Sequence, residues 1–326
     1  MPRSIAITGG AGFVGLALAE ALRAQGDRVT LLDIAPPDPL LFARPELAGT
    51  QFHPCDILQP EALAGALRTH GRDALIHAAA ITPNVETTRS QPLRIAEVNV
   101  QGALNALRAV ADAGVRDMIL LSSISVYGSR GSPGADVLDE SAAAPNSLYG
   151  ETKLAAETLC ARIAPLLGVR LATLRLGAIF GPWESLREAR PDLSPPGEIQ
   201  RLAALGRPVR LANEMRSDWV YSRDAAMMIA SVLPCMDAAE GRIFNIGGGH
   251  VFALTDWAQA MGLPAPLIDP DQPDIAPRSD PRRPPMSITA LKALSGIAGS
   301  RPMIDAVTDE RRWRIAQPEV SHAPDR

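Results

Sequence analysis

The feature that most constrains the fold of this chain is a short apolar strand followed directly by a glycine-rich turn and then a helix. Residues 5–8 have the strand pattern, Gly9, Gly12 and Gly15 follow three residues apart, and helical periodicity begins at Leu16. Glycines at such a turn let the backbone approach a pyrophosphate, whose charge then lies at the helix N-terminus. Because glycine-rich turns also serve packing alone, the turn indicates a phosphate site only if the surrounding chain forms a parallel α/β sheet.

The alternation of strands and helices continues for about half of the 326 residues. Further strands are predicted at 28–32, 50–53, 74–77, 117–121 and 169–174. This alternation predicts an α/β fold, a doubly wound parallel sheet (Rossmann-like), with ligands bound at the carboxyl ends of the strands. After Arg175 prolines and arginines become dense, which indicates a looser, loop-rich segment. We predict a nucleotide-binding domain at 1–175, rejoined by 219–248, and a smaller C-terminal substrate-binding domain at 176–218 and 249–326.

An acidic residue ends the second predicted strand. Asp33 lies eighteen residues after Gly15 in the sequence. A carboxylate at this position can accept hydrogen bonds from both ribose hydroxyls of NAD, and it repels the additional phosphate of NADP. The sequence therefore predicts NAD as the cofactor.

Tyr149 and Lys153 are four residues apart in a predicted helix, so their side chains share one face. A neighbouring ammonium favours the phenolate form of a tyrosine, which can then take a proton from an alcohol. Lysine occurs only at Lys153 and Lys292 among 32 basic residues, so it stands out at this position. The same spacing is common in surface pairs, and the pair is a catalytic candidate only together with the other motifs.

Composition excludes several classes of function. With 46% apolar residues, 21% charged residues and a net charge of −4, the chain offers no electrostatic reason to bind nucleic acid or a membrane surface. Its three cysteines are far apart and its histidines lack metal-ligand spacing, so neither a disulfide framework nor a metal site is expected. No apolar run approaches the roughly 20 residues that span a bilayer. A cytoplasmic protein with a small-molecule partner is the prediction.

The order of several motifs identifies a family. The chain resembles an extended short-chain dehydrogenase/reductase of the NAD-dependent epimerase/dehydratase type, including the nucleotide-sugar epimerases. The resemblance covers most of the chain and is carried by residues 8–15, 33, 56–57, 77–79, 122–123, 126–128, 149, 153, 175, 180–182, 216–220 and 245–247. These motifs are highly specific for the family and less specific for the reaction.

The resemblance implies roles for individual residues. Ser123 would hydrogen-bond the reacting oxygen, Tyr149 would be the general acid or base, and Lys153 would hold the nicotinamide ribose and favour ionisation of the tyrosine. His77 is expected to be a hydrogen-bonded residue of the sheet edge, and Tyr127 a packing residue. The implied cofactor contacts are Gly9, Gly12, Phe13, Val14, Gly15, Asp33, Asp56, Ile57, Ala78, Ala79, Asn99, Tyr149, Lys153, Leu176 and Ile179. The implied substrate contacts are Ser125, Ala178, Trp183, Arg216, Arg278 and Arg282.

Departures from the family pattern narrow the reaction. The acidic pair that sugar-nucleotide dehydratases carry after their catalytic serine or threonine is replaced here by Ile124 and Ser125, which argues against elimination of water. Ala178 stands where many nucleotide-sugar enzymes have an asparagine, which weakens the case for a UDP-sugar. Arg216 and the pair Arg278 and Arg282 resemble arginines that bind a diphosphate, although surface salt bridges explain them equally well.

Three functions therefore remain open. An epimerase would retain NAD and return the hydride to the opposite face of a sugar-like substrate. A dehydrogenase of a free sugar, sugar acid or other polyol would release NADH, and a non-catalytic NAD-binding protein would do neither. The resemblance also implies a homodimer formed through the predicted helices at 89–114 and 146–167.

Overall fold

A computed structural model describes residues 2–128, 140, 143–275 and 284–316. Its strands are β1 (Ser4–Thr8), β2 (Arg28–Asp33), β3 (Gln51–Pro54), β4 (Ala74–His77), β5 (Asp117–Ser123), β6 (Arg170–Leu176), β7 (Ala178–Phe180), β8 (Arg210–Leu211), β9 (Ser217–Tyr221), β10 (Ile243–Ile246), β11 (Val251–Phe252) and β12 (Leu267–Ile268). Its helices are α1 (Phe13–Ala24), α2 (Pro39–Phe42), α3 (Pro60–His70), α4 (Val85–Ser90), α5 (Pro92–Ala96), α6 (Gly102–Asp112), α7 (Leu148–Ile163), α8 (Pro195–Ala204), α9 (Ser222–Ala230), α10 (Met236–Ala239), α11 (Leu254–Met261), α12 (Thr289–Ser295) and α13 (Met303–Ile315).

Seven strands form one sheet in the order β10-β6-β5-β4-β1-β2-β3, and every neighbouring pair is parallel. The strand order reverses between β1 and β4, and in such sheets the ligand lies in the crevice at the carboxyl ends beside this reversal. The prediction of a doubly wound parallel sheet is confirmed.

Both faces of the large sheet are covered. In β1 the residues Ile5 and Ile7 pack with α1 on one face, while Ala6 packs with α3 and α6 on the other. All three are completely buried, which explains why the strands of this sheet read as nearly continuous apolar runs. The covered faces hold the strands in place and leave their carboxyl ends free to build a site.

A second apolar cluster lies in the later part of the chain. Strand β9 pairs with β7 and β11, and this small sheet packs with α8, α11 and α13 around Trp257 and Phe180. The chain packs against the large sheet again through Val220 and helix α9, and it rejoins that sheet where β10 pairs with β6. Residues after 249 are shared between the clusters, since Ile288 and Trp313 pack into the larger one.

The predicted helix at 89–114 is divided in the structure. Pro92 has no backbone N–H, and α4 ends just before it at Ser90. A π-helical turn at Glu97–Gln101 then interrupts the remaining helix before α6. Such turns are rare and are common at functional sites. In the described part of the chain, no helix is both long and apolar enough to cross a bilayer.

Candidate active site

The turn between β1 and α1 has the geometry of a phosphate site. Gly12 is the N-cap of α1, no side chain caps this end, and the first turn carries no acidic residue. Gly9 has a φ of 66°, and a Cβ atom there would lie 2.6 Å from the backbone of Ala79. Only glycine fits this position. Helix α1 begins with Phe13, Val14 and Gly15. Because no side chain caps the N–H groups of this first turn, they can bind an anion.

Asp33 ends β2 beside this turn. Its Oδ2 accepts a hydrogen bond from the Ala11 N–H at 3.1 Å, and its Oδ1 lies 3.7 Å from the Arg187 guanidinium. Burial raises the pKa of Asp33 above its usual range, although Arg187 and neighbouring backbone N–H groups oppose the shift. The carboxylate is thus placed where a ribose would lie next to a pyrophosphate at the turn.

The neighbouring loops line the same crevice. Strand β3 ends next to Asp33, whose carbonyl oxygen accepts a hydrogen bond from the Cys55 N–H at 2.9 Å. Asp56 then closes a short turn by accepting from the Leu58 N–H at 2.9 Å, which brings Asp56 and Ile57 to this edge. Ala78 and Ala79 follow β4 against the glycine turn, as the distance from Gly9 shows. The residues present therefore fit a dinucleotide.

Ser123 ends β5 and begins a 3₁₀ turn. Its Oγ accepts a hydrogen bond from the Ser125 N–H at 3.1 Å, and the two hydroxyl oxygens are 3.2 Å apart. The Ser125 carbonyl oxygen lies 2.5 Å from the position that a Cβ atom on Gly150 would occupy. Because Gly150 has no side chain, the turn approaches α7 closely and brings Ser123 and Ser125 next to the position of Tyr149.

Helix α7 presents Tyr149 and Lys153 on one face. Ser147 caps the helix by accepting a hydrogen bond from the Gly150 N–H at 3.1 Å. Tyr149 is partly exposed, whereas Lys153 is only 5% exposed. The Lys153 side-chain amine nevertheless makes no hydrogen bond or ion pair with any other residue in the described ranges. An unpaired buried amine is unfavourable, which makes Lys153 available for the oxygen atoms of a ligand.

Asn99 lies in the π-helical turn and connects two walls of the site. Its side-chain oxygen accepts from the Ile81 N–H at 2.8 Å, while its amide donates to the Ile81 carbonyl at 3.0 Å and to Thr152 Oγ1 at 3.2 Å. Thr152 in turn donates to the Tyr149 carbonyl oxygen at 2.8 Å. Asn99 was predicted as a cofactor contact. In the structure both of its amide hydrogens are already used, so it positions the loop after β4 relative to α7.

His77 and Tyr127 are the other titratable side chains at this edge. His77 is buried, with its Nδ1 atom 2.8 Å from Thr8 Oγ1, and burial, assisted by the charge of Lys153, lowers the pKa of His77 to about 3. Tyr127 is fully buried and donates to Asn245 Oδ1 at 2.5 Å. Burial also raises the pKa of Tyr127. Neither side chain is suited to exchange a proton with a substrate near neutral pH.

A buried ion pair supports the catalytic helix from behind. Arg175, in β6, forms a salt bridge of 2.7 Å with Glu157 of α7, and both side chains are almost inaccessible. Arg175 also donates to the Glu140 carbonyl at 2.9 Å, and its guanidinium carbon lies 4.9 Å from the centre of the Tyr127 ring. These contacts fix α7 to the sheet one helical turn beyond Lys153.

The predicted substrate contacts lie less close together than the predicted cofactor contacts. Ala178 and Ile179 in β7 are partly exposed directly after β6, whose last residue Leu176 is buried. Arg216 is half exposed, with Glu214 at 3.9 Å. Arg278 and Arg282 lie outside the described residues. Within the described ranges, no group of histidine, cysteine, aspartate and glutamate side chains could hold a metal ion.

Trp183 is corrected by the structure. Its side chain is fully buried, its indole N–H donates to Glu20 Oε2 at 2.7 Å, and its ring packs against Trp313 at 5.3 Å between centroids. The φ of Trp183 is 76°, a conformation that a bulky residue adopts only where its packing requires it. Trp183 is therefore a packing residue and cannot contact the substrate. Its neighbour Glu184 accepts hydrogen bonds from the Ser194 backbone and side chain at 2.7 and 2.6 Å.

Comparison with known proteins agrees with this geometry. Residues 5–247 match the model of the NAD dependent epimerase/dehydratase family. The chain is 29% identical over 253 residues to a UDP-glucuronate 4-epimerase of Thermodesulfobacterium geofontis, with 74% of each protein covered. It is 27% identical over 307 residues to a dTDP-L-rhamnose 4-epimerase of Burkholderia thailandensis, covering 82% of this chain and 84% of the relative.

Solved structures give the same picture. A UDP-glucose 4-epimerase of Thermus thermophilus in complex with NAD has a TM-score of 0.76 and 28% identity, over 94% of this chain and 98% of that one. A UDP-glucose-4-epimerase from Stenotrophomonas maltophila, with bound NAD and formylated UDP-arabinopyranose, has a TM-score of 0.83 and 24% identity, over 96% and 98%. The second likeness concerns the fold alone.

Proposed function

Because this chain belongs to the NAD-dependent epimerase/dehydratase family, we propose that it moves a hydride at a secondary alcohol or ketone carbon of a sugar-like substrate, with Tyr149 as the acid and base. The family membership confirms the predicted resemblance, and with it an NAD-dependent enzyme. The substrate and the roles of individual residues are our proposal.

The observation that carries this proposal is the state of Lys153. Its amine is buried, unpaired within the described residues and on the same helix face as Tyr149. Such an amine can donate to the ribose hydroxyls of the cofactor and lies on the same side of the helix as the tyrosine. Tyr149 would then take the proton of the substrate hydroxyl, and return it when the carbonyl is reduced. When bound, NAD supplies the chemistry of accepting and returning a hydride.

Ser123 would orient the reacting oxygen. Its Oγ already accepts the Ser125 N–H, so the hydroxyl hydrogen of Ser123 is directed to another acceptor. In the structure that acceptor is Ser125 Oγ, and a substrate oxygen could replace it. With the Tyr149 phenol and the Ser123 hydroxyl both hydrogen-bonded to one substrate oxygen, the proton leaves that oxygen and the hydride leaves the carbon attached to it. The two hydrogen bonds hold these atoms in a fixed orientation.

The relatives favour a nucleotide-sugar 4-epimerase as the specific form of this activity. We propose that the smaller cluster around Trp257 forms the substrate-binding domain. The proposed substrate contacts are Ala178, Arg216, Arg278 and Arg282. Ala178 favours the second candidate, a dehydrogenase of a free sugar, sugar acid or polyol, because the amide that nucleotide-sugar enzymes carry there is missing.

An activity panel separates these functions. The protein would be incubated with NAD and with nucleotide sugars, free sugars and aldonic or uronic acids. Interconversion of isomers without net NADH identifies an epimerase, whereas NADH formation identifies a dehydrogenase. NAD binding without turnover of any compound would support the non-catalytic alternative.

The role of Tyr149 is tested by removing one oxygen atom. We expect Tyr149→Phe to lower the rate of either reaction about 1,000-fold, within the usual range for a general acid or base. The matched control is Tyr127→Phe, which removes a buried phenol bonded to Asn245 at the same sheet edge. Full activity of Tyr149→Phe would refute the mechanism.

We also infer a homodimer through helices α5, α6 and α7. Leu93 in α5 and Leu166 after α7 are exposed by 83% and 82%, and Leu159 in α7 by 41%. Burial of such side chains against a second copy would remove apolar surface from water. Light scattering after size exclusion should give twice the chain mass of 34.6 kDa, and a monomeric mass at all concentrations would contradict the dimer.

A further inference from the structure

A segment after β7, residues 184–194, crosses the nucleotide crevice. We call it the strap. On one side, the Ala189 carbonyl oxygen accepts a hydrogen bond from the Thr82 N–H at 2.9 Å, and Asp192 accepts from the Asn84 amide at 3.1 Å. Both partners follow β4. The strap is thereby joined to the wall of the crevice opposite β2.

The base of the strap is fixed by an internal ion pair. Glu184 is paired with Arg190 and also accepts both hydrogen bonds from Ser194. The Arg190 guanidinium in addition lies 5.2 Å from the centre of the Phe13 ring, at the start of α1. Arg190 is therefore occupied in holding the strap and the glycine turn together.

Arg187 extends from the strap to the end of β2. It donates hydrogen bonds to the carbonyl oxygens of Ala11 at 3.1 Å, Ala35 at 3.1 Å and Pro36 at 3.2 Å. Three backbone acceptors fix the guanidinium in one place, and its side chain is 19% exposed. At this place it lies 3.7 Å from Asp33 Oδ1.

The pairing has a consequence for cofactor choice. An acidic residue at the end of β2 selects NAD, while an arginine nearby accommodates the 2′-phosphate of NADP. Guanidinium groups suit phosphate because their N–H donors match its oxygen atoms. This chain has both the acidic residue, Asp33, and the arginine, Arg187, next to each other. Arg187 follows Asp33 by 154 residues in the sequence.

We propose that Arg187 is a second determinant of cofactor choice, a preformed phosphate-binding cation whose effect Asp33 suppresses. With Asp33 in place, the carboxylate neutralises the guanidinium and repels the 2′-phosphate. Without the negative charge, the fixed guanidinium is available to a phosphate bound at the end of β2. Selection of NAD therefore depends on the pair and not on Asp33 alone.

A double-mutant cycle tests the proposal through binding, without reference to turnover. Dissociation constants for NAD and NADP would be measured by calorimetry on the wild-type protein, Asp33→Asn, Arg187→Gln and the double variant. Asparagine keeps the shape of the side chain and the oxygen that accepts the Ala11 N–H, but it has no charge. We expect Asp33→Asn to bind NADP at least 10-fold more tightly than wild type, and the double variant to lose that gain.

The control variants separate this effect from general electrostatics and from misfolding. Arg28→Gln removes a positive charge at the opposite, amino end of β2, so Asp33→Asn with Arg28→Gln should keep the gain. Arg187→Lys keeps the charge and loses the planar donors, and in the Asp33→Asn background it should keep part of the gain. Equal NADP affinity of Asp33→Asn with and without Arg187 would overturn the proposal, as would absence of any gain in a folded Asp33→Asn protein.

Discussion

Lys153 and Arg175 are two almost completely buried cations beside the same helix, and their surroundings are opposite. Arg175 has a carboxylate, a carbonyl oxygen and the face of an aromatic ring around it. The Lys153 amine has no hydrogen-bond or ion-pair partner among the described residues. A buried charge that is fully paired holds structural elements together, whereas a buried charge without partners is unfavourable until a ligand pairs with it. The comparison distinguishes a structural cation from a binding cation.

Removing the partner of the paired cation should have the largest effect. Glu157→Gln leaves the Arg175 charge buried without a counter-ion, and we expect it to lower the free energy of unfolding by about 3–5 kcal/mol. Urea unfolding measures this change. The matched control is Glu151→Gln, an exposed residue of the same helix, for which a change within about 0.5 kcal/mol is expected. A loss below 1 kcal/mol for Glu157→Gln would show that Arg175 does not need its partner.

The unpaired cation should respond in the opposite sense. Lys153→Met should lower the rate of the reaction about 100-fold, equivalent to about 2.7 kcal/mol at the transition state. It should not lower the free energy of unfolding, because an uncompensated buried charge is removed. Lys292→Met, at the other lysine, which is exposed, is the control. If Lys153→Met destabilised the fold as strongly as Glu157→Gln, the two cations would not differ in kind.

His77 reports on the charge of Lys153. In the folded protein the pKa of His77 is lowered to about 3, so between about pH 6.5 and pH 3 only the unfolded state binds this proton. Stability therefore falls as the pH falls through this window, by about 2 kcal/mol between pH 7 and pH 5. Unfolding at both pH values, compared with His77→Asn, isolates this contribution, and identical pH dependence of the two proteins would contradict it.

The pKa of His77 can be measured directly by NMR titration in Lys153→Met and in the wild-type protein. Without the lysine charge this pKa should rise, while burial, the larger cause of the shift, keeps it below 6.5. An unchanged pKa of His77 would mean that Lys153 carries no charge that His77 senses.

The smallest effect is expected for the neutral contact next to Lys153. Thr152→Val removes the hydroxyl that accepts from Asn99 and donates to the Tyr149 carbonyl, and should cost about 1–2 kcal/mol of stability. Thr152→Ser keeps the hydroxyl and serves as the control. A loss for Thr152→Val as large as that for Glu157→Gln would mean that neutral contacts fix α7 as firmly as the buried ion pair.

Local sequence signals were sufficient for the large sheet and for one side of the site. The apolar strands, the glycine turn and Asp33 depend on residues close together in the chain, and the structure places each of them as expected. The small sheet of β7, β9 and β11 was not anticipated as a unit, because its strands have two to five residues and too little periodicity to read.

Partners distant in the sequence account for what could not be predicted. Trp183 was predicted as a substrate contact from the family resemblance, and no local pattern indicated that its side chain bonds to Glu20, 163 residues away. The chain has 32 basic residues, of which two are lysines and 30 are arginines. No sequence motif distinguished Arg187 from the other arginines. Whether a buried lysine is paired or unpaired likewise depends on which strands meet, and spacing along a helix does not determine that.

The packing of Trp183 and Trp313 has a consequence for how the protein is made. Arg44 lies against both rings, with its guanidinium carbon 4.3 Å from the centre of the Trp313 ring and 5.6 Å from that of Trp183. The core that begins at β1 is thus completed by the helix at 303–315, so it stays incomplete until that helix has been made. Truncated chains that end before α13 should be cut by protease near Trp183, whereas the chain that includes α13 should resist.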